Sequence, residues 1–190
     1  MPDSLQNSPG SVAPQAAEAE LIAAARQDPA CFQLLYDRWV APVYQYLFFQ
    51  TGNAPDAEDL TSQVFLAAYQ AFPRYRYNGH FAGWLFTIAR NQAYEHFRKR
   101  KREVPLETAK YETGGVDPCE TIAHQEQINR LRAVVKNLPA EQQELIHLRY
   151  VAGLSFAEIA AVLKRKEDAV KKALYRLQDR LEVLLEVDRE

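Results

Sequence analysis

The stretch SFAEIAAVLKRKEDAVKKALYRLQDRL (Ser155–Leu181) decides the fold of the C-terminal part of this chain. Ser155 followed three residues later by Glu158 forms a capping box, so a helix starts there and runs to about Leu163. A turn of about four residues follows. Val170, Leu174, Leu177, Leu181 and Leu184 then recur at alternating spacings of four and three, the period of one helix face, over about Glu167–Leu185. A short capped helix, a tight turn and a longer basic amphipathic helix together make a helix-turn-helix. The leucine stripe is too short for a coiled coil, which needs about three to four heptads, so it belongs to a core. With the leucines inward, Lys166, Lys171, Lys172, Tyr175 and Arg176 lie on the outer face. Pattern alone leaves two readings of that face: a DNA-groove surface, or a solvated side of a small bundle.

Upstream, LPAEQQELIHLRY (Leu138–Tyr150) reads as a helix opened by proline, and about Pro118–Asn137 as another. EVPLETAKYETGGVD (Glu103–Asp117) has no sustained period and a Thr-Gly-Gly turn, the mark of a linker. Before it, Phe81, Trp84, Leu85 and Ile88 give a helix over about Phe81–Lys101, and the period around Trp84 assigns that ring to the core. RYRYNGH (Arg74–His80) is a loop turning at Asn78-Gly79, and a helix spans about Pro55–Phe72. Ala19–Gly52 is helical in pattern, with a cap at Asp28-Pro29 and a kink or break expected before Pro42. Nothing alternates in the manner of a strand. The expected class is all-α: a disordered tail over 1–18, helical domains at 19–102 and 118–186, and a flexible linker at 103–117 between them.

Net charge is −2 over 190 residues, which excludes a protein that coats nucleic acid by bulk charge. The average hides a segregation. Residues 1–73 hold two bases and eight acids, 74–102 eight bases and one acid, 103–163 five and nine, and 164–190 eight and seven. In the basic stretch 74–102, rings interleave with cations, a mixture suited to unpaired bases and their phosphates. Tyr75 and Tyr77, beside Arg74 and Arg76, are the loop aromatics expected to act there, and Arg98–Arg102 prolong the surface. The acidic DAEDL (Asp56–Leu60) suits a helix N-terminus and a protein-docking face. Cys31 and Cys119 are too few for a disulfide framework, and His80, His96, His124 and His147 are scattered singly. With no phosphate loop, nucleophile elbow or zinc motif, neither an enzyme nor a metal or cofactor is expected. No apolar run would span a bilayer and the first residues lack a secretion signal, so the expected location is cytoplasmic.

DAEDLTSQVFLAAYQAF (Asp56–Phe72) followed by FAGWLFTIARNQAYEHFRKRKR (Phe81–Arg102) resembles the second domain of an extracytoplasmic-function sigma factor of the sigma-70 family. Leu138–Leu181 resembles its fourth domain. The resemblance implies a transcription-initiation subunit that binds core RNA polymerase, through the β′ clamp helices and the β flap, and directs it to promoter DNA. On that basis Asp56, Asp59, Leu60, Gln63 and Phe65 are core contacts. Tyr75, Arg76, Tyr77, Asn78, Phe81, Asn91, Glu95 and Arg98 recognise and open the −10 element, and Lys166, Glu167, Lys171, Lys172, Tyr175 and Arg176 read the −35 element. An anti-sigma factor is the expected regulator. The chain departs from the family at Ser62-Gln63, where Gln-Glu is usual, and at Lys164-Arg165, where the turn usually carries glycine and an apolar residue. Two other readings of the residues are a stand-alone helix-turn-helix regulator binding duplex DNA, and a polymerase-docking protein that has lost promoter use.

Overall fold

The computed structural model describes residues 12–77, 79–103 and 133–187. Among these the regular elements are all helical: α1 (Val12–Gln27), α2 (Phe32–Thr51), α3 (Ala54–Ala71), α4 (Phe81–Glu103), α5 (Ala140–Ile146), α6 (Phe156–Leu163) and α7 (Glu167–Val187). Three-residue 3-10 turns at Pro29–Cys31 and Phe72–Arg74 lead into α2 and out of α3, and a π-helical turn, His147–Val151, prolongs α5. The linker expected at 103–117 and most of the helix expected at 118–137 lie outside the described residues; residues 133–136 are helical. No described helix is long and apolar enough to cross a membrane.

Local chemistry sets the helix ends. Asp28 accepts the Ala30 N–H at 2.9 Å with Pro29 in the first position, so the chain turns there between α1 and α2. Gly52, at φ 72°, closes α2 by donating its N–H to the Phe48 carbonyl, a left-handed cap that glycine adopts without strain. Asn53 then caps α3 by accepting the Asp56 N–H at 2.8 Å. α2 runs through Pro42 without a break, so the proline removes one backbone donor inside a continuous helix. α1 starts at Val12, earlier than the periodicity suggests.

The first half is a packed body of α1 to α4 around Leu35, Val43, Leu47, Leu60, Val64, Leu85 and Phe86, each at most 2 % exposed. The second half packs α5, the π turn, α6 and α7 around Leu148, Leu154, Ile159, Val170 and Leu174. These two sets join in one continuous apolar cluster, through α4 against α6 and α2 against the π turn. Gly83 of α4 makes the approach close: a Cβ there would lie 3.2 Å from the Glu158 Cβ and 3.3 Å from its Cα. Beside it, Glu144 of α5 accepts from Tyr46 Oη at 3.2 Å and pairs with Arg90 Nε at 2.7 Å. Burial, with Glu144 alongside, pushes the Tyr46 phenol well up, so it stays a proton donor. Phe49 stacks on His147, whose Nδ1 is 2.7 Å from the Gln143 carbonyl; burial holds this imidazole below its ordinary value and therefore neutral. A largely buried pair such as Arg90–Glu144 is weak as a source of net stability. Losing one partner leaves the other charge largely buried and unpaired, which is the destabilising event.

Candidate nucleic-acid interface

The helix-turn-helix is realised by local bonds. Ser155 Oγ accepts the Glu158 N–H at 3.3 Å, and the Glu158 carboxylate accepts the Ser155 N–H at 2.8 Å, completing the capping box. At the other end of α6, Lys164 stands in the glycine-type position with φ 54°. It donates its N–H to Ala161, and Arg165 donates to Ala160 at 2.9 Å, so the turn closes on a non-glycine residue. The Arg165 guanidinium is tied to Glu141 at 3.0 Å. Lys164-Arg165 thus keeps the turn while placing a cation beside it.

α7 divides cleanly. Val170, Leu174 and Leu177 are buried, whereas Glu167, Lys171, Lys172, Tyr175 and Arg176, with Lys166 just before the helix, are all exposed. Lys171 reaches over the Phe156 ring at 5.9 Å, and Arg149 lies over the same ring at 4.7 Å while donating to the Leu154 carbonyl at 2.9 Å. Arg149 and Phe156 adjoin the α7 face and were not singled out from the sequence. A cation at the end of one helix and a ring at the start of the next give no periodic signal.

α4 carries three sectors, as expected for about 100° of rotation per residue. Phe81, Leu85, Phe86, Ala89 and Ala93 are buried; Gly83 and Arg90 meet the second half; Trp84, Ile88, Asn91, Glu95 and Arg98 form an outward stripe. Asn91, Glu95 and Arg98 are exposed, and Arg98 pairs with Glu95 at 2.7 Å. Trp84 is partly buried, packing against the core while standing in this stripe, so its period marks both roles. The loop aromatics behave unlike free loop rings. Tyr75 is 8 % exposed and Phe81 1 %, and they meet edge-to-face at 5.6 Å. Tyr75 also lies against Trp84, with ring centroids 4.5 Å apart. Burial first, then the Glu18 carboxylate, pushes the Tyr75 phenol far up. Tyr77 is partly exposed, with its phenol raised for the same reasons, and Arg76 is exposed; Asn78 lies outside the described residues. Arg76 is thus exposed and Tyr77 partly so, next to a cluster of the buried Tyr75 and Phe81 with the partly buried Trp84.

On α3, Asp59 and Gln63 are exposed, whereas Leu60 and Phe65 are buried at 2 % and 6 % and hold the helix in place. Asp56 is half-buried and engaged: Asn53 Nδ2 donates to it at 2.7 Å, and Arg100 of α4 lies at 3.3 Å. His96 Nε2 is 3.4 Å from the same carboxylate without hydrogen-bond alignment. Leu66 and Tyr69, 59 % and 48 % exposed, share the outer side of α3 with Gln63 and Gln70 and make it apolar as well as acidic. Their spacing from Asp59 and Gln63 on one helix side is the signal that would have found them.

The description Sigma-70 region 2 fits residues 35–103, and Sigma-70 region 4 fits residues 128–181. The chain is 34% identical over 174 residues to the ECF RNA polymerase sigma factor BldN of Streptomyces coelicolor, covering 89% of this chain and 66% of that protein. It is 30% identical over 166 residues to the ECF RNA polymerase sigma factor SigX of Bacillus subtilis, covering 82% of this chain and 86% of that one. The fold is similar to that of the Bartonella quintana sigma factor RpoE in complex with the anti-sigma factor NepR. There the TM-score is 0.64 and identity 24%, over 83% of this chain and 98% of that one. It is also similar to CnrH in complex with the cytosolic domain of CnrY, with a TM-score of 0.61 and 23% identity, over 88% and 96% of the two chains.

Proposed function

This chain belongs to the extracytoplasmic-function family of RNA polymerase sigma factors, and from that premise we propose how its surfaces divide the work of promoter-specific initiation. It acts in the cytoplasm as a non-catalytic subunit of RNA polymerase. The outer side of α3, with Asp59, Gln63, Leu66 and Tyr69, docks on the β′ clamp helices of the core enzyme, and Leu60 and Phe65 set its orientation from inside. The second half meets the β flap. Arg76, Tyr77 and Asn78 of the loop, with Asn91, Glu95 and Arg98 on the α4 stripe, engage the −10 strand, and Tyr75, Phe81 and Trp84 form the platform beneath. Lys166, Glu167, Lys171, Lys172, Tyr175 and Arg176 on α7 meet the −35 duplex. An anti-sigma factor is the corresponding regulator, in keeping with the complexes formed by the structural neighbours.

The observation that carries this reading is the coexistence on one chain of an exposed basic helix face and a separate loop–helix surface where rings and cations meet. The first suits duplex phosphates and base edges. The second suits unpaired bases, whose capture offsets the few kcal/mol lost per unstacked step. The test is run-off transcription with purified core polymerase on a promoter library, sequencing the start sites. Promoter-dependent initiation with two shared sequence elements upstream is the expected result. Absence of initiation together with absence of core binding in a pull-down overturns the reading, and an operator shift without polymerase replaces it with a stand-alone regulator.

A further inference from the structure

α1 presents Glu18, Ile22 and Ala25 to the interior at helical spacing, and the glutamate is as buried as its neighbours: 5 %, 2 % and 4 % exposed. A carboxyl group in an apolar row is unfavourable unless something there uses it. The Glu18 carboxyl lies near enough to the backbone N–H of Phe81 for that donor to hold its pKa down against burial; Phe81 is the first residue of α4, so its N–H has no carbonyl of its own helix to meet. Two turns further along α1, Arg26 Nη2 donates to the Tyr75 carbonyl. Between these two contacts lies the loop, with Gly79 at φ 84° taking its turn in left-handed backbone. One rigid helix therefore grips both ends of the segment that presents Arg76 and Tyr77. The charged and titratable groups around Glu18 are Arg38 of α2, Tyr75 and Tyr77 of the loop, His80 just before α4 and Glu158 of α6.

We propose that Glu18 and Arg26 are positioning residues for strand capture, a splint that fixes the two ends of the 75–81 loop before DNA arrives. This rests on the reading of that loop as the −10 surface. The physical benefit is preorganisation: a loop whose ends are already fixed loses less conformational freedom when it closes on a flexible single strand. Both contacts run from side chain to backbone, so they bear on where the loop runs and not on which side chains it carries.

The test uses the full chain and two readouts. Hydrogen–deuterium exchange follows the amides of 77–84, and strand opening is followed with core polymerase on a promoter fragment recovered by start-site sequencing, carrying 2-aminopurine in the −10 element. Glu18→Ala and Arg26→Ala are expected to raise exchange at Phe81 and its neighbours and to slow opening about tenfold each, the scale of one lost hydrogen bond. Core retention in a pull-down stays at the wild-type level. Glu18→Gln, which keeps an oxygen acceptor, restores both. Opening at the wild-type rate in the alanine variants overturns the proposal, as does unchanged exchange. So does a parallel loss of core binding, which marks a merely structural role. If the unsubstituted chain opens no promoter, the −10 reading fails instead, and the exchange data alone then decide whether the splint exists.

Discussion

The two candidate nucleic-acid surfaces are built on opposite plans. On α7 the exposed candidates and the residues that hold the helix are different members of one helix: Lys171, Lys172, Tyr175 and Arg176 outside, Val170, Leu174 and Leu177 inside. On the loop–α4 surface the division fails. Tyr75 and Phe81 are core residues as well as ring neighbours of Trp84, Arg26 of α1 bonds the Tyr75 carbonyl, and α6 packs against α4 at Gly83. A single-helix face can be altered without disturbing what lies beneath it. A surface assembled from four elements cannot.

The largest expected effect tests that difference directly. Tyr75→Ala removes a ring that touches Phe72, Phe81 and Trp84, and should cost about 3 kcal/mol in urea unfolding, with strand opening lost alongside. Wild-type stability in that variant would break the comparison, because the loop surface would then be as separable as the α7 face. Next comes Gly83→Leu, which wedges the α4–α6 junction where backbone atoms of Glu158 leave no room. Overpacking of this kind costs about 1–3 kcal/mol. Separation of the halves should appear as an increased radius of gyration in small-angle scattering, and unchanged stability together with unchanged scattering would show that the junction is already loose. The Lys171→Glu/Lys172→Glu pair should leave unfolding within about 0.5 kcal/mol of wild type. Promoter affinity of the holoenzyme should fall about tenfold, with the salt slope smaller by about two. A melting shift comparable to that of Tyr75→Ala would mean that the α7 face is not independent of its core.

The same contrast explains what was legible in the sequence. The capping box at Ser155 and Glu158, the leucine spacing of α7 and the turn between α6 and α7 are local signals, each decided within a few residues, and each is realised in the structure. The α3 period was equally available: Leu60, Thr61, Val64, Phe65 and Ala68 are buried together, which places Leu60 and Phe65 inside rather than on the outer side of the helix. Loop aromatics carry no period, so nothing in RYRYNGH separates the buried Tyr75 from the partly exposed Tyr77. The joining of the two halves was invisible for another reason. It depends on Gly83 and Arg90 meeting Glu158 and Glu144 across a long sequence separation, and a flexible linker in the sequence is compatible with halves that dock.

The smallest expected effect concerns the place where both halves and α1 converge. Burial is the main influence on Glu18 and raises its pKa; the neighbouring Glu158 carboxylate adds to the rise, while Arg38, the Phe81 N–H and His80 oppose it. A carboxyl whose folded-state pKa is raised binds its proton more tightly in the folded chain than in the unfolded one. Its contribution is therefore fully present below the unfolded carboxyl range and is lost as pH rises through the higher folded value. Glu18→Gln keeps the acceptor for Phe81 and removes the titration. The stability difference between the variant and wild type should thus shift in favour of glutamine as pH rises from about 4 to 7, then level off. Urea unfolding of both chains across that range measures it. A shift in favour of glutamate instead would mean that Arg38 and the α4 N-terminus outweigh burial, making the loop's anchor a charged bond and the two ends of the splint, Glu18 and Arg26, electrostatically alike.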